Sequence, residues 1–345
     1  MIHHFSDQPF FLSGFGATLF LVLSGYFATK TLIRLRNEMD SGRTEASLAL
    51  KSFYIQRCLR LFPLYYLVLL LALIFRVEYA RSTFLWNAAF LSNFRILLTG
   101  EWNGRFSPLW SLSLLEQFYL AWPALILFCP KRRLLPITIL TILIAPAYRL
   151  VCLGMDFGPI YWSVAPLSSL DQLGSGALLA ICGSDLVAGP IRERIMGFAG
   201  KICFPVFTAL LICKAWHFNP PGCAVYINFV ASLAFIWLVK KAETGFEGKM
   251  RILMENPALG YIGRISYSIF LLHTFSELLV PRIGILQPLM HSNFRAIILI
   301  PVTILLAHFS YWLIETPIQS FRKRYERSAR GNADAFPIPA SLAAG

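Results

Sequence analysis

The sequence predicts an all-α, polytopic integral membrane protein whose helices cross the bilayer about nine times. Hydrophobic residues make up 57% of the 345 residues and charged residues only 14%, whereas a water-soluble domain carries roughly 25% charged residues. The apolar residues gather in runs of roughly 17 to 25, the length that crosses a bilayer as a helix. The basic residues fall mainly between those runs, as they do in membrane proteins.

Each predicted span is justified by a predominantly apolar run bounded by polar residues. The nine runs lie near residues 10–29, 61–77, 109–128, 134–153, 164–182, 199–215, 223–239, 262–281 and 293–315. A further stretch, 84–98, is apolar but short and interrupted. We expect this stretch to be interfacial or re-entrant rather than spanning.

The distribution of basic residues predicts which loops face the cytoplasm. Alternate connections, starting with residues 30–60, hold most of the Lys and Arg, and the opposite loops hold few. The positive-inside rule then places the C-terminus in the cytoplasm and Met1 outside, so we expect a further helix upstream of Met1. Tryptophans near the predicted outer boundary fit interfacial anchors: Trp102, Trp110, Trp162 and Trp216.

The charge and cysteine content argue against several other classes of protein. The formal net charge is +13, from 31 Lys and Arg against 18 Asp and Glu, but its placement in loops argues against a nucleic-acid partner. The seven cysteines lack CxxC spacing and are expected to be buried hydrophobes, not metal ligands or disulfides. We expect residues 1–317 to form one membrane domain and 318–345 a basic, disordered cytoplasmic tail.

Ionisable residues within the apolar runs are candidates for function, because a charge at the bilayer centre costs at least ~2.5–3.5 kcal/mol. Glu116 and Asp171 are each expected about 10 Å below the outer surface, and His273 near mid-depth. His3 and His4 precede the first visible span closely, which places them in the same outer half. Each of these residues could instead make an interhelical hydrogen bond or, for the two histidines at the start, belong to a disordered terminus.

An arginine pair is expected at the opposite, cytoplasmic face. Arg57 and Arg60 are one turn apart at the mouth of the 61–77 helix and are expected to face the same side. Arginines bind phosphate oxygens bidentately, so this pair fits a phosphate-bearing thioester donor. A histidine could act as the general base for an alcohol acceptor on the other side, oriented by a carboxylate. The pair could also be only a topology signal.

Several sequence segments together resemble the acyltransferase-3 family of membrane acyltransferases, related to bacterial O-antigen and exopolysaccharide O-acetylases. The similarity covers nearly the whole chain, and its motifs occur in the family's order. The segments are HHF from His3, FLVLSGYFATKTL from Phe20, FYIQRCLRLFPLYYLVLLL from Phe53, FSPLWSLSLLEQFYLAWP from Phe106, LDQLGSGALLA from Leu170, GRISYSIFLLH from Gly263 and IETP from Ile314.

The resemblance implies an O-acyltransferase in a bacterial inner membrane, with acetyl-CoA or another acyl-CoA as co-substrate and no tightly bound cofactor or metal. His3 matches the family's histidine base, Glu116 its second glutamate, and Arg57 and Arg60 its donor-binding pair. We expect Glu116 or Asp171 to steady the base.

The acceptor implied by the resemblance is a hydroxyl of a cell-surface or lipid-linked carbohydrate, with membrane lipids as surroundings. His273, Tyr267, Ser113 and His4 are the expected substrate-binding residues. Leu115 replaces a glutamate often present in the family, so a two-carboxylate role is not expected.

A transporter of a glycan or small solute remains an alternative, because buried acids and histidines also form proton relays. Inverted internal repeats would favour it, and none is visible in the sequence.

Overall fold

The computed structural model describes residues 14–216, 223–279 and 295–320, and every regular element within these ranges is helical. The α-helices are α1 (Phe15–Asp40), α2 (Ala46–Ile74), α3 (Ala80–Ala88), α4 (Ser92–Thr99), α5 (Leu109–Phe128), α6 (Lys131–Gly154), α7 (Pro159–Val164), α8 (Leu170–Cys182), α9 (Gly189–Phe198), α10 (Phe204–Ala215), α11 (Cys223–Thr244), α12 (Gly248–Met254), α13 (Pro257–Arg264), α14 (Ser266–Leu272) and α15 (Arg295–Ser310). Short 3₁₀ or π segments lie at Gly104–Phe106, Pro166–Ser169, Ala199–Cys203, Ser276–Leu278 and Tyr311–Glu315.

Seven helices in the described ranges are long and apolar enough to cross a membrane. They are Phe15–Asp40, Ala46–Ile74, Leu109–Phe128, Lys131–Gly154, Gly189–Ala215, Val225–Thr244 and Arg295–Ser320. Each corresponds to a run predicted from the sequence, so the all-α polytopic membrane fold is confirmed.

The other two predicted spans, 164–182 and 262–281, are built of shorter helices in the described residues. Ala165 has an extended backbone (ψ 146°) before Pro166, so α8 begins only at Leu170 and has 13 residues. At 1.5 Å per residue it is about 20 Å long, shorter than the bilayer core of about 30 Å. The 262–281 run is divided between α13, α14 and the 3₁₀ turn at Ser276–Leu278.

The chain forms two compact units. The α2 unit contains Thr31–Phe84 and the described residues from Ala258 onward, and the α5 unit contains residues 14–30 and the described part of 85–257. The boundary between them falls inside α1, after Lys30. Within the α2 unit, α14 packs against α15 and α2.

Helix ends and interior prolines follow from local chemistry. After α1, Gly42 adopts a left-handed backbone (φ 69°), and the Arg43 amide donates to the Glu38 carbonyl at 2.9 Å, which reverses the chain into α2. Four of the α-helices, α2, α5, α6 and α15, contain interior prolines, where neighbouring helices can compensate the lost hydrogen bonds. These prolines are Pro63, Pro123, Pro136, Pro146 and Pro301.

The α5 unit depends on a very close crossing of α1 and α8. A Cβ on Gly176 would lie 1.9 Å from the Val22 carbonyl oxygen, and a Cβ on Gly25 would lie 2.1 Å from that of Leu173. Only glycine allows this approach. The crossing therefore holds α8, the helix that carries Asp171, in close contact with α1.

Candidate functional site

The predicted site residues divide between the two units. Ser113, Glu116 and Asp171 belong to the α5 unit, whereas Arg57, Arg60, Tyr267 and His273 belong to the α2 unit. His3 and His4 lie outside the described residues. The roles of all these residues stay predictions, and the contacts below show what each described side chain does in the fold.

Arg57 and Arg60 on α2 differ in their surroundings. Arg57 is 9% exposed, and its guanidinium lies 5.3 Å from the centroid of the Phe53 ring. Arg60 is exposed. Of the predicted pair, Arg60 is therefore the guanidinium open to a ligand, while Arg57 packs against its own helix.

Arg60 lies in a small cleft together with a buried carboxylate that the sequence reasoning did not assign to the site. Glu315 is 9% exposed, lies within electrostatic range of Arg60 and accepts a hydrogen bond from the fully buried Ser268 hydroxyl. The cleft is lined by Leu59, Arg60, Pro63, Leu64, Ile314, Glu315, Ile318 and Gln319. Glu315 ends a π-helical turn, a feature frequent at functional sites. The IETP and GRISYSIFLLH segments carried the sequence signal for Glu315 and Ser268.

Tyr267 and His273 are engaged by backbone groups of the α2 unit. The Tyr267 hydroxyl donates to the Leu61 carbonyl oxygen at 2.7 Å, which ties α14 to α2 one residue beyond Arg60. His273 is 4% exposed, and its Nδ1 lies 2.6 Å from the Phe270 carbonyl oxygen. A protonated Nδ1 donates to this carbonyl oxygen, which fixes the orientation of the imidazole ring.

Asp171 forms a buried ion pair with an arginine that the sequence reasoning did not single out. The Arg149 guanidinium bonds the Asp171 carboxylate and also donates to the Val225 carbonyl oxygen at 2.6 Å. The two side chains are 1% and 0% exposed. The contact joins α6, α8 and α11. Arg149 is a charge inside the predicted 134–153 span, which was the available signal for it.

The α5 helix presents a polar face to the short helix α4. The Ser113 hydroxyl lies 3.1 Å from the Ser92 hydroxyl, and the Gln117 amide exchanges hydrogen bonds with Asn93 at 2.9 and 3.3 Å. Glu116 is partly buried beside them on the same helix. Ser113 therefore has a structural contact, and the segment predicted to be interfacial or re-entrant packs on the Glu116 helix.

The arrangement offers side chains for acid–base chemistry and phosphate binding. Within the described ranges, no group of three or more His, Cys, Asp or Glu side chains could hold a metal ion. The exposed Arg60 is suited to phosphate oxygens. Glu116 is a carboxylate in a largely apolar helix, where it can orient a base.

Comparisons with known proteins place the chain in a family. The acyltransferase-3 model, described as an acyltransferase domain, matches residues 1–314. The chain is 29% identical over 333 residues to the peptidoglycan O-acetyltransferase OatA of Listeria monocytogenes, a match that covers 88% of the chain and 51% of that protein. It is 24% identical over 339 residues to the putative peptidoglycan O-acetyltransferase YrhL of Bacillus subtilis, covering 89% and 51%.

The chain thus spans about half the length of the curated relatives it matches. No solved structure matches the chain with comparable significance. The family expected from the sequence motifs is confirmed. The chain belongs to the acyltransferase-3 family of membrane acyltransferases.

Proposed function

We propose that the protein transfers an acetyl group from cytoplasmic acetyl-CoA to a hydroxyl of a peptidoglycan-type glycan on the other side of the membrane. The observation that carries this proposal is the family match over residues 1–314. The acceptor is taken from the two relatives, which are named for peptidoglycan O-acetylation. It makes more specific the cell-surface or lipid-linked carbohydrate expected from the sequence resemblance.

The donor would bind at the cleft of the α2 unit that contains Arg60. Coenzyme A carries phosphate groups, and an exposed guanidinium binds their oxygens through paired N–H donors. The buried Glu315 lines the same cleft and lies within electrostatic range of Arg60, so a carboxyl group is present beside the guanidinium. Arg57, held against Phe53, would contribute positive potential.

The transfer itself would use His3 as the general base. The imidazole takes the proton from the acceptor hydroxyl, whose oxygen attacks the thioester carbonyl carbon, and the carbon–sulfur bond then breaks. The protonated imidazole returns its proton to the departing thiolate. Glu116, or Asp171 if it can leave Arg149, would stabilise the imidazolium.

The proposed organisation is one membrane domain over residues 1–317 and a basic tail over 318–345. Excess Lys and Arg in alternate loops and in the tail support a cytoplasmic C-terminus in a bacterial inner membrane. This orientation puts Arg60 on the side that holds acyl-CoA.

The test is acetyl transfer by the chain reconstituted in lipid vesicles, with radiolabelled acetyl-CoA and a soluble peptidoglycan fragment. We expect His3→Ala to lower transfer by at least 100-fold, because the loss of a general base typically costs 10²–10⁴-fold. The neighbouring His4→Ala, at a position predicted to bind substrate, is the comparison and should lower transfer much less than His3→Ala does.

If His3→Ala retains wild-type activity, the base is elsewhere, with His4 and His273 the next candidates. If the vesicles move the glycan without acetylating it, the transporter alternative replaces the proposal.

A further inference from the structure

Buried amide side chains are concentrated in one short part of the α5 unit. The fully buried asparagines of the described chain are Asn87, Asn93 and Asn103, each 0% exposed, and all lie in the stretch from α3 to the start of α5. Burying an amide without hydrogen bonds costs roughly 1–3 kcal/mol in proteins. Such a concentration in a chain that is 57% hydrophobic needs a reason beyond packing.

These residues form a polar seam, defined here as residues 87–103 together with Ser113 and Gln117. The Gln117 amide donates to the Phe90 carbonyl oxygen at 2.9 Å. Phe90 has a left-handed backbone (φ 54°), a conformation that costs a large side chain free energy. Gln117 therefore holds a strained turn against the helix that carries Glu116.

The polar seam ends in a loop closed by a side-chain contact. The Arg95 guanidinium donates to the Asn103 Oδ1, which links α4 to the residue before the 3₁₀ turn Gly104–Phe106. The Nδ2 amide of Asn103 is buried, and no group in the described residues accepts its hydrogen bond. An unmet buried donor costs roughly 1–3 kcal/mol. Its neighbour Trp102 is 47% exposed.

We propose that this loop binds the acceptor glycan, with Trp102 stacking on the apolar face of a sugar ring and Asn103, whose Nδ2 is buried in this structure, turning toward the sugar to donate to a hydroxyl or acetamido oxygen. The proposal rests on the proposed function, since it names the place of the acceptor in that reaction. A sugar offers both the oxygen acceptors that Asn103 lacks and a ring face that suits an indole. Ser92, Asn93 and Gln117 connect the loop to α5, which places the bound glycan on the element that carries Glu116.

An interfacial anchor is the competing role for Trp102, and Trp216 provides the comparison. Trp216 follows the end of α10 in the same unit, is 82% exposed and is also predicted at the outer boundary. If both tryptophans only anchor the protein at the membrane interface, replacing either one should change the KM for the oligosaccharide to the same extent. If Trp102 stacks on a sugar ring, only the replacement of Trp102 should raise this KM.

The first experiment measures both Michaelis constants of the reconstituted chain. We expect Trp102→Ala to raise the KM for a soluble N-acetylglucosamine oligosaccharide at least tenfold, with the KM for acetyl-CoA unchanged. Trp216→Ala should leave both constants within twofold of wild type. Equal changes in the two tryptophan variants, or no change in either, would overturn the proposal.

The second experiment removes only the Nδ2 hydrogen-bond donor of Asn103. Asn103→Asp keeps an oxygen for Arg95 but replaces the Nδ2 amide, so we expect a tenfold weaker oligosaccharide binding measured by saturation-transfer NMR without acetyl-CoA. Unchanged binding would refute the role of Asn103. This measurement is independent of catalysis: if the wild-type chain binds the oligosaccharide through Trp102 and Asn103 but transfers no acetyl group, the proposed function fails while the binding site stands.

Discussion

Asp171 and Glu315 are both buried carboxylates, but their partners differ in access to the surroundings. Asp171 is 0% exposed and is bonded to Arg149, which is 1% exposed. Glu315 is 9% exposed and has the buried Ser268 hydroxyl on one side and the exposed Arg60 on the other. We call the bonded residues Arg149 and Asp171 the closed pair, and Arg60 and Glu315, which line one cleft, the open pair.

The difference indicates which pair can exchange partners with a ligand. Separating Arg149 from Asp171 would leave two unpaired charges in an apolar interior, which is strongly unfavourable. Arg60 can turn toward a phosphate while Glu315 keeps its hydrogen bond from Ser268. The closed pair therefore serves to fasten helices, and the open pair is suited to binding.

The largest expected effect comes from breaking the closed pair. Asp171→Asn would leave the Arg149 charge buried without compensation, so we expect a loss of about 3–5 kcal/mol of stability. The measurement is the yield of folded protein and its Tm in detergent micelles. A variant with wild-type yield and Tm would contradict a fastening role.

A double variant separates fastening from catalysis at Asp171. Arg149→Met combined with Asp171→Leu removes both charges, so it should recover more than half of the lost stability. If that folded double variant also transfers acetyl groups, Asp171 has no catalytic role. If it is folded but inactive, the catalytic role predicted for Asp171 gains support.

A smaller effect, on donor binding alone, is expected from the open pair. Arg60→Ala should raise the KM for acetyl-CoA about 10- to 100-fold, because a hydrogen bond to a charged group contributes roughly 1.5–3 kcal/mol. Folded yield and the acceptor KM should stay near wild type. The exposed Lys51, on the same helix, gives the matched control: Lys51→Ala should leave the donor KM within twofold.

Glu315→Gln shows whether the carboxylate acts through Arg60. The amide can still accept from Ser268 but has no charge to act on the guanidinium. We expect a few-fold higher donor KM in the wild-type background and no further change in Arg60→Ala. An unchanged donor KM in Arg60→Ala itself would remove the basis for the donor cleft.

The parts of this protein that sequence reasoning predicts are those fixed by local properties. The length and apolarity of a run such as 109–128 are enough to predict α5, and motif order is enough to predict the family. The start of α8 at Leu170 was not predicted, because it depends on the backbone break before Pro166.

Side-chain pairings are harder to predict from the sequence, because they join helices that are distant along the chain. The Arg149–Asp171 contact spans 22 residues, and the contact of Ser268 with Glu315 spans 47. The sequence marks each charge as costly in a membrane but does not say which partner compensates it. The α4–α5 seam was likewise not predicted, since its amide pair depends on how a re-entrant stretch folds back.

The smallest expected effect comes from Tyr267, whose hydroxyl makes a buried hydrogen bond between uncharged groups next to Arg60 in the α2 unit. Tyr267→Phe removes the hydroxyl that donates to Leu61 at 2.7 Å. A neutral hydrogen bond contributes about 0.5–1.5 kcal/mol, so we expect a Tm only a few degrees lower and unchanged KM values. The predicted substrate contact of Tyr267 makes the opposite prediction, a changed KM with little change in Tm. Leu61 directly follows Arg60. If Tyr267→Phe both lowers the Tm and raises the KM for acetyl-CoA, the hydrogen bond from Tyr267 to Leu61 also positions the Arg60 guanidinium.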